Sequence, residues 1–162
     1  MKTSLNLSLS AGVLLLAIAA QDSHAQSYVV SPDGLEVTDQ KTGLIWRRCA
    51  EGMSWNGSTC VGGASIYTHE AAFRRAAAEA GSTGTAWRLP NVKELASIAD
   101  RGLNNPAIDT TAFPATPINL FWTASPSVGI STCAWGVHFS NGRVGHDVRN
   151  AGNAVRLVRS GQ

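Results

Sequence analysis

The sequence predicts an α+β domain in which short antiparallel strands surround two central helices. Three observations predict it. Residues 28–46 hold short apolar stretches separated by Pro- and Gly-containing turns. Residues 68–98 hold two segments with helical spacing and capping residues, and from residue 120 onward the pattern returns to alternation. Helices grouped between runs of antiparallel strands are the mark of α+β architecture.

Tyr28-Val29-Val30 reads as a strand, and Ser31-Pro32-Asp33-Gly34 as a turn. Leu35 to Asp39 alternates with the period of a half-buried strand. Lys41-Thr42-Gly43 turns the chain again, and Leu44-Ile45-Trp46 is a buried strand. Residues 53–66, rich in Gly and Ser, read as a loop. Thr68 begins the first helix, with Glu70 favourably placed in its first turn. Phe73, Ala76, Ala77 and Ala80 form the expected inner stripe, and Gly81 the expected end. Asn91 and Glu94 make a capping-box pair for a second helix, with Leu95 and Ile98 facing inward. Residues 104–119 are irregular. Leu120-Phe121-Trp122-Thr123 is a strand. Ala134 to Phe139 is another, with Trp135, Val137 and Phe139 on one face. Asn141-Gly142 predicts a tight hairpin with positive φ at both residues, and Ala154 to Arg159 a closing strand.

The chain starts with Lys2, an apolar run from Ala11 to Ala20, and small residues at Ser23 and Ala25. This is the pattern of a cleavable signal peptide over 1–25, followed by one domain over 26–162. The apolar run is short of the ~20 residues that span a bilayer. The expected location is outside the cytoplasm: periplasm, cell surface or extracellular space. The formal charge is +2, too small to point to nucleic acid. The charge is unevenly placed, however. Residues 110–162 carry Arg143, Arg149, Arg156 and Arg159 against the single acid Asp147, which favours an anionic partner if the arginines share a face.

Three cysteines follow the signal segment, Cys49, Cys60 and Cys133. Three single pairings are open. Export favours a disulfide, and closeness in sequence favours Cys49–Cys60. Cys133 is then either a buried thiol or an intermolecular bridge. No cysteine or histidine spacing suggests a metal site, and no cofactor is expected.

Several motifs together resemble one bacterial family. They are Asp33-Gly34-Leu35-Glu36-Val37-Thr38-Asp39 with Lys41-Thr42-Gly43-Leu44-Ile45-Trp46; Trp87-Arg88-Leu89-Pro90-Asn91 with Glu94-Leu95; Pro106-Ala107-Ile108-Asp109 with Phe113-Pro114; Phe121-Trp122-Thr123-Ala124-Ser125; and Val155-Arg156-Leu157-Val158-Arg159. In this order they resemble the Lcl C-terminal domain family, named for a bacterial collagen-like surface adhesin. The resemblance implies a C-type-lectin-like fold, related also to formylglycine-generating enzymes. For the named adhesin it implies a trimeric domain that binds sulfated glycosaminoglycans. This chain departs from it in lacking collagen-like repeats, and in having Leu157 where the family pattern implies a cysteine that could partner Cys133.

The expected function is therefore a non-catalytic secreted or cell-surface binding module for an anionic polysaccharide or a surface protein, with oligomers possible. The alternative is a structural subunit of a surface appendage or envelope assembly. Candidate ligand-binding residues are Arg143, Arg149 and Arg156, whose guanidinium forks match oxyanions, and Trp55, the tryptophan expected to be most exposed. Trp46, Trp87, Trp122 and Trp135 are expected in the core. Arg88 is expected to hold loop carbonyls. No nucleophile and base are aligned in sequence, and the chain is not expected to be an enzyme.

Overall fold

The structure, a computed structural model, describes residues 28–161. The signal peptide expected over 1–25 lies outside the described residues. Among the described residues, no helix is long and apolar enough to cross a membrane.

The chain is α+β with antiparallel sheets. Strands β1 (Tyr28–Val30), β2 (Glu36–Asp39) and β3 (Leu44–Arg47) form the expected meander. The sheet is completed by β9 (Val158–Ser160), which pairs with β3, giving the order β1-β2-β3-β9. Residues 53–66 are not wholly irregular. They hold a two-stranded hairpin, β4 (Ser54–Trp55) and β5 (Cys60–Val61). A third sheet has the order β6-β7-β8, built from Leu120–Pro126, Cys133–His138 and Arg143–Val148. Strand β8 is an edge of that sheet.

Helix α1 (His69–Thr83) starts where Thr68 caps it, its hydroxyl accepting from the Ala71 N–H. It runs through Gly81 and stops at Gly84, which has φ of 65°. The left-handed residue ends the helix, and Gly81, in helical conformation, does not. The buried face is also turned from the expected one. His69, Ala72 and Ala76 face inward, while Phe73 is 44% exposed. Helix α2 (Val92–Ser97) has the expected capping box between Asn91 and Glu94. Leu95 and Ile98 are buried as expected.

Two apolar clusters result. One gathers Val37, Trp46, Leu95, Ile98, Phe113, Phe121, Val137 and Phe139. The other gathers Ala72, Ala76, Trp87, Leu89, Trp122 and Leu157. The extended segment before β9 runs between them. Ala154 and Val158 serve the first cluster, and Val155 and Leu157 the second, which is the period of two applied to a segment buried on both faces. Its backbone bonds β6 at one end, through Ala154 and Leu120, and β3 at the other, through Leu157 and Arg47. The expected closing strand thus forms regular pairing only over Val158–Ser160.

The Asn141-Gly142 turn is wider than expected. Residues 139–142 make a four-residue loop closed by Gly142 N–H donating to the His138 carbonyl at 2.8 Å. Gly142 has φ of 70°, whereas Asn141 is outside the positive-φ region.

Candidate functional site

Half of the ten arginines are consumed by ion pairs. Arg75 donates to Glu51 at 2.6 Å and to Glu79 at 2.7 Å, and Glu79 also accepts from Arg47. Arg47 lies over the Trp87 ring at 4.5 Å, and Arg159 lies near the same ring at 5.4 Å while donating to Glu36 at 2.6 Å. Arg74 pairs with Glu70 along α1. Arg88 makes a bidentate pair with Glu94, both bonds at 2.8 Å, and also donates to the Leu89 carbonyl. Glu94 therefore caps α2 and clamps Arg88 together. The Arg88 bond holds its carboxyl below the usual range.

The structure does not bring the expected site residues together. Arg156 is fully buried and leaves the set of ligand candidates. Its guanidinium donates to the Arg47 and Arg48 carbonyls and to the Thr116 hydroxyl. The reason is the alternation just described, which turns residue 156 toward the first cluster. Trp55 is half-buried. The Arg48 guanidinium sits 4.0 Å from its ring centroid, and the ring packs so closely on Gly34 that a Cβ there would collide with it. Arg48 in turn donates to the Ala112 and Thr111 carbonyls. An aromatic face already covered by a guanidinium is a poor sugar platform. Of the four tryptophans expected in the core, Trp46, Trp87 and Trp122 are buried. Trp135 is half-buried and packs edge-on against His146.

Arg143 and Arg149 stand at opposite ends of β8. Six residues at ~3.3 Å each separate them by roughly 20 Å. Arg149 is held by its neighbours. Its Nε donates to the Ser131 carbonyl at 3.2 Å, and its Nη1 lies 3.1 Å from His69 Nδ1. The buried His69 places Nε2 2.9 Å from the Thr123 carbonyl. A carbonyl only accepts, so Nε2 carries the proton and Nδ1 accepts from Arg149. Burial pushes the His69 pKa down, and the Arg149 charge adds to that, while the Thr123 bond opposes it. The neutral ring's contribution to stability is therefore full above the ordinary histidine value and lost as pH falls through the lowered folded value. Thermal unfolding should occur at lower temperature at pH 5 than at pH 7.5, and His69→Gln should flatten that part of the profile. An unchanged profile in the variant would refute the assignment.

Arg143 has a partner that the sequence did not single out. Arg101, in the turn after α2, donates through Nε to the Gly142 carbonyl at 3.3 Å. Arg101, Asn104, Asn141, Arg143 and Val144 line an open hollow of about 570 Å³. Arg101 and Arg143 are both exposed residues. Neither is in an ion pair with a described residue. Two guanidinium groups outside the ion pairs and two amides form a surface rich in donors, suited to sulfate or carboxylate oxygens. Arg101 lies 42 positions from Arg143 in the chain, and only the fold brings them together.

The Cys49–Cys60 disulfide is present, as expected, and is consistent with an exported protein. Cys133 is a buried thiol. Leu157, at the position where the resemblance implies a cysteine, is buried in the second cluster.

A family model described as the Lcl C-terminal domain matches residues 35–159. No curated protein and no solved structure matches the chain.

Proposed function

The chain belongs to the Lcl C-terminal domain family, and from this premise we propose that it is an exported, surface-associated, non-catalytic module that binds an anionic glycan such as a sulfated glycosaminoglycan. One observation carries the reading: Arg101 and Arg143, both outside the ion-pair network, meet in one open hollow. The lining supplies positive charge and amide donors, with no base or nucleophile suited to neutral pH. The disulfide supports a location in the periplasm, at the cell surface or outside the cell. The family resemblance extends the reading to a C-type-lectin-like chain path.

Retention on immobilised heparin at physiological salt tests it. The double change Arg101→Ala with Arg143→Ala should shift elution to clearly lower salt. Each lost charge-assisted contact is worth about 1.5 kcal/mol or more, roughly tenfold in affinity. Arg74→Ala, which removes a cation already paired on α1, should change retention little. Weak retention that the double variant leaves unaltered would sink the proposal.

A further inference from the structure

We propose that β8 is a self-pairing edge, through which two copies of this chain join antiparallel about a twofold axis at Gly145. The reasoning starts from hydrogen-bond parity. Strands β7 and β8 pair with Cys133 opposite Val148 and His138 opposite Arg143. The next pair in that register is bonded, with Arg149 N–H donating to the Thr132 carbonyl at 2.9 Å. Antiparallel pairs alternate between bonded and non-bonded. Arg143, Gly145 and Asp147 therefore bond inward to β7, and Val144, His146 and Val148 aim their backbone groups out of the sheet.

At Val148 those outward groups are already used. Its N–H donates to the Asp147 carboxylate at 2.8 Å, and its carbonyl accepts from Ala151 N–H at 2.8 Å. The open stretch is thus short, with Val144 and His146 as its two pairing residues, both exposed. A twofold axis at Gly145 sets Val144 against His146 of the second copy, and His146 against its Val144. Both pairs fall in bonded positions, and each exchanges two hydrogen bonds.

Charge selects the same register. With Gly145 opposite itself, Arg143 faces Asp147 of the second copy, and Asp147 faces its Arg143, all on one face of the joined sheet. Opposite charges directly across strands stabilise pairing, and like charges oppose it. A two-residue shift one way sets Arg143 against Arg149. The opposite shift sets it against Gly145 and leaves Asp147 without a charged partner. Asp147 is held in place by Asn153, whose Nδ2 donates to Oδ2 at 3.0 Å, and it retains lone pairs for a guanidinium. An edge strand of this kind, with exposed Val144 and Val148, is a template for another strand. The closed twofold arrangement stops at two copies.

The inference stands apart from glycan binding, although Arg143 is shared: a polyanion and a second copy would compete for that guanidinium. Sedimentation equilibrium of the purified protein without polyanion should show a concentration-dependent monomer–dimer equilibrium. Arg143→Asp should abolish the dimer, and Arg143→Asp combined with Asp147→Arg should restore it. A register-specific arm guards against a charge swap that merely harms folding. Gly145 opposite Gly145 is a non-bonded pair with Cα atoms ~4.5 Å apart, within disulfide reach. Gly145→Cys should therefore form a covalent dimer under mild oxidation, and Val144→Cys should not. A mass of one chain at all concentrations, a mass of three, or a Gly145→Cys protein that stays uncross-linked would overturn the proposal.

Discussion

Arg156→Ala is expected to lower the unfolding free energy by about 4 kcal/mol, with no direct effect on any surface contact. The side chain is fully buried. Its Nη1 serves two successive carbonyls at the end of β3, and its Nη2 donates to Thr116 Oγ1 at 2.8 Å. The guanidinium carbon lies 4.9 Å from the Phe113 ring centroid. Truncation strands these acceptors, at about 1–3 kcal/mol for a buried group left unsatisfied, and opens a cavity beside Phe113 and Phe121. Burial pushes the guanidinium pKa down to about 9, so it remains charged at neutral pH. Arg156→Met should recover part of the loss by filling space. Arg156→Lys should recover little, because an ammonium cannot reproduce the planar fork over three acceptors. Urea unfolding midpoints measure all three. By contrast, Arg143→Ala should stay within about 0.5 kcal/mol of the parent, as expected for an exposed side chain. Near-equal costs at positions 143 and 156 would show that the buried guanidinium is not the tie described here.

The contrast between these arginines marks where the sequence is legible. Local chemistry can be read directly. The capping box at Asn91 and Glu94 involves residues three apart, and the turn at Gly34 and the cap at Thr68 are equally local. Helix α1 is harder, because its alanines give no dominant stripe. Phe73, as the largest apolar residue, suggests the inner face. The packing instead favours small residues there, with His69 edge-on to Trp122 at 5.2 Å. Gly81 is the end that the sequence suggests, and only the left-handed backbone angle shows that Gly84 is the cap. The fate of the cations is least legible. Arg47 and Glu79 are 32 residues apart, and Arg75 and Glu51 are 24 apart. Charge counts in a window cannot reveal which arginines such pairs consume. The basic C-terminal third therefore suggested a cluster of Arg143, Arg149 and Arg156. In the fold, one of these is interior, one is engaged with His69, and one is joined by Arg101 from another part of the chain. The family motifs are legible because they are mostly core and turn residues, and for the same reason they say little about the ligand.

Reduction of Cys49–Cys60 is expected to cost about 3 kcal/mol, the loop-closure value for a ring of this length. The cysteines are 11 residues apart and span the hairpin β4–β5. Its apolar contribution is modest, and its tip, residues 56–58, is exposed. The flanking chain is better tied: Glu51 N–H donates to the Val155 carbonyl, and Ser65 N–H to the Glu51 carbonyl. Trp55 reaches the rest of the fold through Arg48 and Gly34. Loss of the cross-link should therefore loosen residues 53–62 first and leave both apolar clusters formed. Hydrogen exchange should rise in that segment before it rises in β6 or β7. Thermal unfolding in reducing buffer should fall by roughly 10 °C, and the double variant Cys49→Ala with Cys60→Ala should match it. The Arg101–Arg143 hollow lies on other elements and does not include the hairpin, so heparin retention of the reduced, folded protein should persist. Loss of retention together with the disulfide, while the clusters stay intact, would move the binding surface to the hairpin and its covered Trp55.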